Sequence, residues 1–369
     1  MSRLIASRGV LVCLNSIYEC LHTYTGGDVS SMLSAYLVEP RKIELREVPE
    51  PRPQAGEVVI RVERALTCGT DLKAYRRGHP FIPMPGPFGH QYAGRVSRVG
   101  SDVREFEPDM PVWGVQSAPC GQCTACARAR YSLCAALQRD LAFGAFAQFM
   151  RLPRRVVEQN LLVRPDAVSP QRAAFLEPVS CVIHGLNRLN LERVERILVL
   201  GLGSMGLLFC QLLPRFSEAS IVAAGRNASR VAIAGHYDLE RVLDVAQSPV
   251  ERLSVESSGF DCIIECTGQA AGWHSALKVV RPGGQILFFG GLPKGEMLEL
   301  DSVQIHDPEI TLLGSCHFGP PDGRHAAELL VGDELRVDDL VSGEMALAQL
   351  DFALRQMEAG KGIKYAIDP

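Results

Sequence analysis

Four of the chain's twelve cysteines, Cys120, Cys123, Cys126 and Cys134, crowd into one short stretch. Thiolates two residues apart can turn their sulfurs toward one centre, and four of them close a tetrahedral zinc site with no open position. The bacterial iron–sulfur run C-x2-C-x2-C-x3-C-P is the rival pattern. Here the last gap is seven residues and Ala135 stands where the proline would be, so that pattern fails. A closed zinc site of this kind stabilises a lobe and performs no reaction.

A second group could hold a ligand. Gly201-Leu202-Gly203-Ser204-Met205-Gly206 directly follows the strand-like run Ile197–Leu200 and opens a helical run, Met205–Leu213. The first glycine permits a tight turn, and the second lets backbone amides approach a pyrophosphate. The third lets helix and strand pack closely, and the helix N-terminus favours the negative charge. Ser204 and Met205 lie inside this turn and are expected to line the cofactor with Gly201, Gly203 and Gly206. About 20 residues farther on, such turns carry an acid for a ribose hydroxyl. That place holds Gly225, followed by Arg226 and, farther on, Arg230. With no carboxylate to repel a 2′-phosphate and two guanidiniums to pair with one, NADP is expected ahead of NAD. The alternative is that Arg226 and Arg230 are solvated residues at a helix start.

The elements that must position these groups have two textures. From Met32 to about Pro165, short β-prone runs alternate with Pro and Gly: Ser34–Val38, Glu57–Val62, Ala93–Val99 and Ala147–Leu152. From about Arg196 the pattern is strand, glycine turn, helix, repeated. Arg196–Leu200, Ser220–Ala224, Arg241–Val245, Asp261–Glu265, Gln285–Phe289 and Ile310–Leu313 are six strand candidates for a parallel, doubly wound sheet. The fold class is α/β, and the chain ends in a short strand, Ile363–Ile367, in a tail expected to rejoin the first domain.

Composition sets the outer bounds. A chain of 369 residues is long enough for two domains or three, and its two textures favour two. Lys plus Arg is 38 against 42 for Asp plus Glu, a formal net charge of −4, which argues against a polyanion binder such as a nucleic-acid protein. No apolar run reaches the roughly 18 residues of a membrane span. Cys210, Cys262 and Cys266 sit in apolar runs as buried free thiols would, so a reduced, cytoplasmic protein is expected. Residues 1–31 look foreign to the rest of the chain. Gly9–Leu14 resembles a short signal core, but Asn15 and Glu19 interrupt it, so a loose extension or a misassigned start is the expectation.

Taken with Cys68-Gly69-Thr70-Asp71, Gly89-His90-Gln91, Glu177-Pro178-Val179-Ser180 and Arg281-Pro282-Gly283-Gly284, these features make the chain resemble the zinc-dependent medium-chain dehydrogenases, in their polyol (sorbitol-like) and threonine dehydrogenase branch. The resemblance runs from about Met32 to the end. It implies a GroES-like, mostly β catalytic domain over 32–176 and 317–369, and a Rossmann domain over 177–316. It implies two zinc ions, one structural and one catalytic, the latter held by Cys68, His90 and Glu177. The family pattern is Gly-His-Glu where this chain has Gln91. A neutral amide is the poorer ligand, so the third place goes to Glu177, with Gln91 as the alternative.

The same resemblance implies reversible hydride transfer between a secondary alcohol and nicotinamide. Thr70 would move the hydroxyl proton, and Lys73 stands where a relay histidine is often found. Gly290 and Gly291, in the loop after the fifth strand, would lie near the nicotinamide. Asp71 is expected to hold backbone or orient a neighbour, and His184 to pack. His79, His306, His317 and His325 are assigned no chemistry. The expected substrate is a small polar alcohol or its ketone: polyols or sugars first, threonine-like amino alcohols second, hydrophobic alcohols third. A homodimer or homotetramer is implied. Two other readings compete, a non-catalytic NADPH-binding sensor and a quinone-type reductase without catalytic zinc; Gln91 and Lys73 are the features that favour them. The helix after Gly319-Pro320-Pro321 is expected to be short, around Ala326–Gly332.

Overall fold

Runs of β-branched and aliphatic residues too apolar for one solvated face become strands buried on both sides. In the computed structural model, which describes residues 30–252 and 259–369, this holds for β9 (Arg196–Leu200), β10 (Ser220–Gly225) and β12 (Phe260–Glu265), while β11 (Arg241–Asp244), β13 (Val280–Phe288) and β14 (Thr311–Gly314) are only partly buried. They form one sheet in the order β11-β10-β9-β12-β13-β14, with every pair parallel. This is the doubly wound dinucleotide-binding order, and its direction reverses between β9 and β12. Ligands of such sheets bind outside the carboxyl ends of the strands at that reversal. The Gly201–Gly206 turn lies there.

The remaining strands are β1 (Ser31–Glu39), β2 (Lys42–Pro49), β3 (Val58–Leu66), β4 (Gly86–Pro87), β5 (Tyr92–Val99), β6 (Pro111–Gly114), β7 (Phe149–Leu152), β8 (Leu161–Val163), β15 (Val341–Ala346) and β16 (Lys364–Asp368). They give a three-stranded sheet, β2-β1-β4, and a seven-stranded one built along β15-β16-β3-β5-β6-β8, with β7 on β3. The second sheet contains β15 and β16, so the end of the chain returns to the sheet begun by β3. That sheet packs a core around Val58, Ile60, Phe88, Tyr92, Phe146 and Ile367, separate from the cluster around Leu198, Val222 and Ile263 in the parallel sheet.

Helix α1 (Gly69–Arg77) follows β3, α2 (Leu176–Leu186) leads into β9, and α3 (Ser204–Leu212) follows the glycine turn. Helix α4 (Ala228–Ala234) follows β10, and α5 (Pro320–Val331) follows β14. This last helix is longer than the expected Ala326–Gly332 segment. Both prolines occupy its first turn, where no intrahelical N–H is required, and Asp322 accepts from the Gly319 N–H at 2.8 Å to start it. The apolar stretch Gly9–Leu14 lies outside the described residues. Among the described residues, no helix is long and apolar enough to cross a membrane.

Candidate functional site

Cys68 sits where β3 gives way to α1, and it is the helix N-cap. Its sulfur accepts from the Thr70 N–H at 3.2 Å, and Asp71 Oδ2 accepts from the Cys68 N–H at 2.9 Å. The tetrapeptide Cys-Gly-Thr-Asp is thus a capping box in which a cysteine takes the place of serine or threonine. His90 reaches the same point from the loop after β4. Gly89, at φ +91°, turns the chain where any Cβ would press into the Phe146 ring. The His90 Nε2 lies 3.4 Å from Cys68 Sγ, and its Nδ1 faces Asp71 Oδ1 at 3.1 Å. Asp71, fully buried, therefore braces both residues from behind.

This geometry fits a zinc ion. Thiolate and imidazole bound to tetrahedral zinc stand about 3.5 Å apart, given bond lengths of roughly 2.3 and 2.0 Å. Cys68, Asp71 and His90 offer ligand-type atoms all within 4.8 Å of one another. Glu177 stands outside that group. It lies in the first turn of α2, buried, with Oε2 accepting from Gln91 Nε2 at 2.6 Å. Its Oε1 accepts from Gln116 Nε2 at 3.3 Å and from Cys181 Sγ at 3.5 Å. Gln91 therefore binds the carboxylate.

Thr70 is half-buried on the first turn of α1, and Lys73 follows one turn later at an exposed position. Desolvation lowers the Lys73 ammonium's pKa, aided by Arg77 and opposed by the negative charges of Cys68 and Glu265. Glu265 ends β12 and its charge acts on Lys73 of α1. Burial raises the Glu265 pKa, against hydrogen bonds from the Thr267 hydroxyl and from the backbone N–H groups of Thr267 and Gly268.

The glycine turn has the shape of a phosphate cradle. Gly201 is at φ +104°, a backbone conformation that strains any residue with a side chain. A Cβ on Gly206 would collide with the Gly201 carbonyl oxygen, so helix and strand touch there, whereas a Cβ on Gly203 would meet nothing within 4 Å. Gly203 caps α3, which starts with Ser204 and Met205. Gly290 donates to the Glu265 carbonyl at 2.8 Å, and Gly291 beside it is open. These residues fit a dinucleotide. At Gly225 any Cβ would strike the Leu202 side chain at about 3 Å, so packing excludes an acidic side chain there. Arg226 is exposed and donates to Gln269 Oε1 at 3.4 Å. Arg230 instead donates to the Gly362 carbonyl at 2.9 Å, and burial lowers its pKa. The two guanidiniums donate to different partners.

In the cysteine lobe, Cys123 and Cys126 sulfurs are 3.5 Å apart and Cys120 and Cys126 sulfurs 4.0 Å, near the roughly 3.8 Å between thiolates on one zinc. All four ligand atoms lie within 4.8 Å of one another. Hydrogen bonds from the Cys126 amide N–H and then from its side chain pull the Cys123 thiol down to about 6, while burial pushes Cys126 up to about 12.

Sequence reasoning passed over three residues near the site. His317, at φ +64°, has Nε2 3.2 Å from Ser117 Oγ, and burial holds its pKa down at about 4, so it is neutral. Gln116 binds Glu177. Lys364 is fully buried, and the signal for it was a lysine inside the apolar terminal strand. His184 pairs with Asp322 at 3.1 Å in a packing role. His79, His306 and His325 lie in no group of ligand-type atoms among the described residues.

Residues 54–161 match the family described as the alcohol dehydrogenase GroES-like domain, and residues 204–332 match the zinc-binding dehydrogenase family. The sorbitol dehydrogenase of Bacillus subtilis is 28% identical over 88% of this chain and 93% of its own length. D-xylulose reductase A of Aspergillus oryzae is 26% identical over 88% of this chain and 93% of its own. Among solved structures, a protein of Sinorhizobium meliloti described as a zinc-binding dehydrogenase and bound to NADP superposes with a TM-score of 0.83, at 27% identity, covering 92% of this chain and 100% of that one. An alcohol dehydrogenase from Thermus sp. ATN1 gives 0.80 at 26% identity, covering 91% and 99%.

Proposed function

The chain belongs to the zinc-dependent medium-chain dehydrogenases, and on that basis we propose that it moves a hydride between a polyol or similarly polar secondary alcohol and a nicotinamide cofactor, NADP ahead of NAD. The observation that carries this reading is the Cys68–His90 pair, 3.4 Å apart and backed by one buried aspartate. Zinc held by Cys68, His90 and Glu177 would supply a Lewis acid for an alcohol oxygen, and nicotinamide along the Gly201–Gly206 turn would supply the hydride acceptor.

The chain's own residues do the rest. Thr70 Oγ1 accepts the substrate hydroxyl proton and passes it toward solvent, and Lys73 serves an anionic group or the relay. Asp71 fixes the His90 ring. Gly290 and Gly291 form the backbone beside the nicotinamide. Cys120, Cys123, Cys126 and Cys134 hold a second, structural zinc. A polar substrate is consistent with the buried amides Gln91 and Gln116 around Glu177. It is supported too by relatives named for sorbitol and xylulose. NADP is supported by the exclusion of an acid at Gly225, by exposed Arg226 and by the NADP-bound neighbour.

The catalytic domain spans 32–176 and 317–369 and the cofactor domain 177–316. The protein works in the cytoplasm as a homodimer or homotetramer, with β14, the edge strand of its sheet, available to a second copy. The test follows nicotinamide absorbance as zinc-loaded protein meets polyols, sugars, amino alcohols and simple alcohols, each with NAD and NADP. Turnover of a polyhydroxy substrate with NADP is expected. Turnover confined to simple alcohols would overturn the substrate class, and a strict requirement for NAD would overturn the cofactor choice.

A further inference from the structure

The last strand delivers a charged side chain to the back of the metal site. Strand β16 runs antiparallel to β3 with Ala366 opposite Leu66 and Ile367 opposite Ala65, and Thr67 and Tyr365 continue the pairing beyond it. That register carries Lys364 level with Cys68. Lys364 is fully buried, and its Nζ donates to the Thr67 carbonyl at 3.0 Å and to Gln91 Oε1 at 2.6 Å. Its third side faces the Phe175 ring at 5.7 Å, at the N-cap of the helix that bears Glu177. Both hydrogen-bond acceptors are neutral, and among the described residues no carboxylate forms an ion pair with Lys364. Burial lowers the Lys364 pKa, and the two hydrogen bonds hold the amine in place.

The consequence falls on an amide that has two faces. Holding Gln91 by its oxygen leaves only its N–H side for Glu177, and the Nε2 to Oε2 distance is 2.6 Å. Turned over, the amide would set N–H against the ammonium and oxygen against the carboxylate, both repulsive. A glutamate at this position could take Lys364 but would then face Glu177 as a like charge.

Building on the function proposed above, we propose that Lys364 is a positioning residue for the metal site, acting through Gln91. By holding the amide oxygen it forces the amide N–H onto Glu177 and so fixes where that carboxylate stands relative to the Cys68–His90 pair. Glutamine at 91 is then part of a lysine–amide–carboxylate chain, in which a neutral amide links two buried ionisable side chains.

The test compares full-length wild type, Lys364→Met, Gln91→Met and the double variant. Metal affinity of the Cys68–His90 site is read by competition with a chromophoric chelator, and ligand geometry by the visible band of the cobalt(II)-loaded protein. Each single variant is expected to weaken metal binding about tenfold, the usual scale for partners of metal ligands, and to shift the cobalt band. The double variant is expected to be no weaker than the weaker single, because both changes cut one chain of contacts. Wild-type affinity and band in Lys364→Met, or losses that multiply in the double variant, would overturn the proposal. Should Lys364→Met not fold, Gln91→Met decides alone, and an unchanged affinity and band there also overturns it. Failure of the underlying reading looks different: wild type itself would then take up cobalt only at the four-cysteine lobe.

Discussion

Replacing Asp71 by asparagine isolates what the buried carboxylate contributes. Its two oxygens have separate duties, Oδ2 accepting from the Cys68 N–H at 2.9 Å and Oδ1 facing His90 Nδ1 at 3.1 Å. Asparagine has nearly the same shape but one acceptor. Whichever way its amide turns, one N–H is set against another N–H, either behind the cysteine or behind the histidine. Disturbing the group behind a metal ligand typically weakens metal binding roughly 10- to 100-fold. Zinc competition with a chromophoric chelator should therefore show one metal per chain held that much more weakly. The four-cysteine site and NADPH binding, measured by fluorescence titration, should be unchanged, because neither touches Asp71. Wild-type affinity at both sites in Asp71→Asn would refute the bracing role. An equal weakening of both sites would assign the residue to general stability instead.

Three further outcomes are expected. Gly206→Ala forces a Cβ onto the Gly201 carbonyl oxygen, at a cost of about 1–3 kcal/mol, so NADPH titration should show binding weakened about 5- to 150-fold with metal content intact. Cys123→Ser opens the four-thiolate site, and elemental analysis should find one zinc fewer per chain, with new protease cleavage between 120 and 134 and retained cofactor binding. Asp322 is held below its ordinary carboxyl range despite burial, by bonds from His184, Gly319 and Asn187, so Asp322→Ala should cost about 2–3 kcal/mol of stability. A depressed folded pKa contributes stability above the unfolded value and loses it as pH falls through the folded one. The gap between wild type and variant in denaturant titrations should therefore shrink below about pH 4.

What was legible in the chain was what is local. The strand Arg196–Leu200 and the glycine turn after it stand residue for residue where the sequence places them, because turn, strand and helix are set by neighbours. The four cysteines converge because the first and last are only 14 positions apart, too few to spread them far. Gly225 could be read as a missing acid, but its reason, the Leu202 side chain against it, needed the fold. Arg226 and Arg230 read alike as groups for a 2′-phosphate, and the fold has Arg230 donating to the Gly362 carbonyl, 132 residues away. Lys364 reaches Gln91 across 273 residues, through a strand register that no local pattern reveals. The helix after Gly319 starts at Pro320 and not near Ala326, because prolines in a first turn start helices.

Everything proposed for the reaction depends on Cys68 and His90 forming the reacting metal site of a nicotinamide-dependent alcohol oxidoreductase. Initial rates of nicotinamide reduction by zinc-loaded wild type and Cys68→Ser, on the best polyol and with NADPH binding verified in both, test that dependence head-on. Wild type should turn over, and Cys68→Ser should lose about three orders of magnitude or more with cofactor affinity unchanged, since removing the site's Lewis acid forfeits several kcal/mol of transition-state stabilisation. Equal rates in the two proteins would remove the metal site from the reaction.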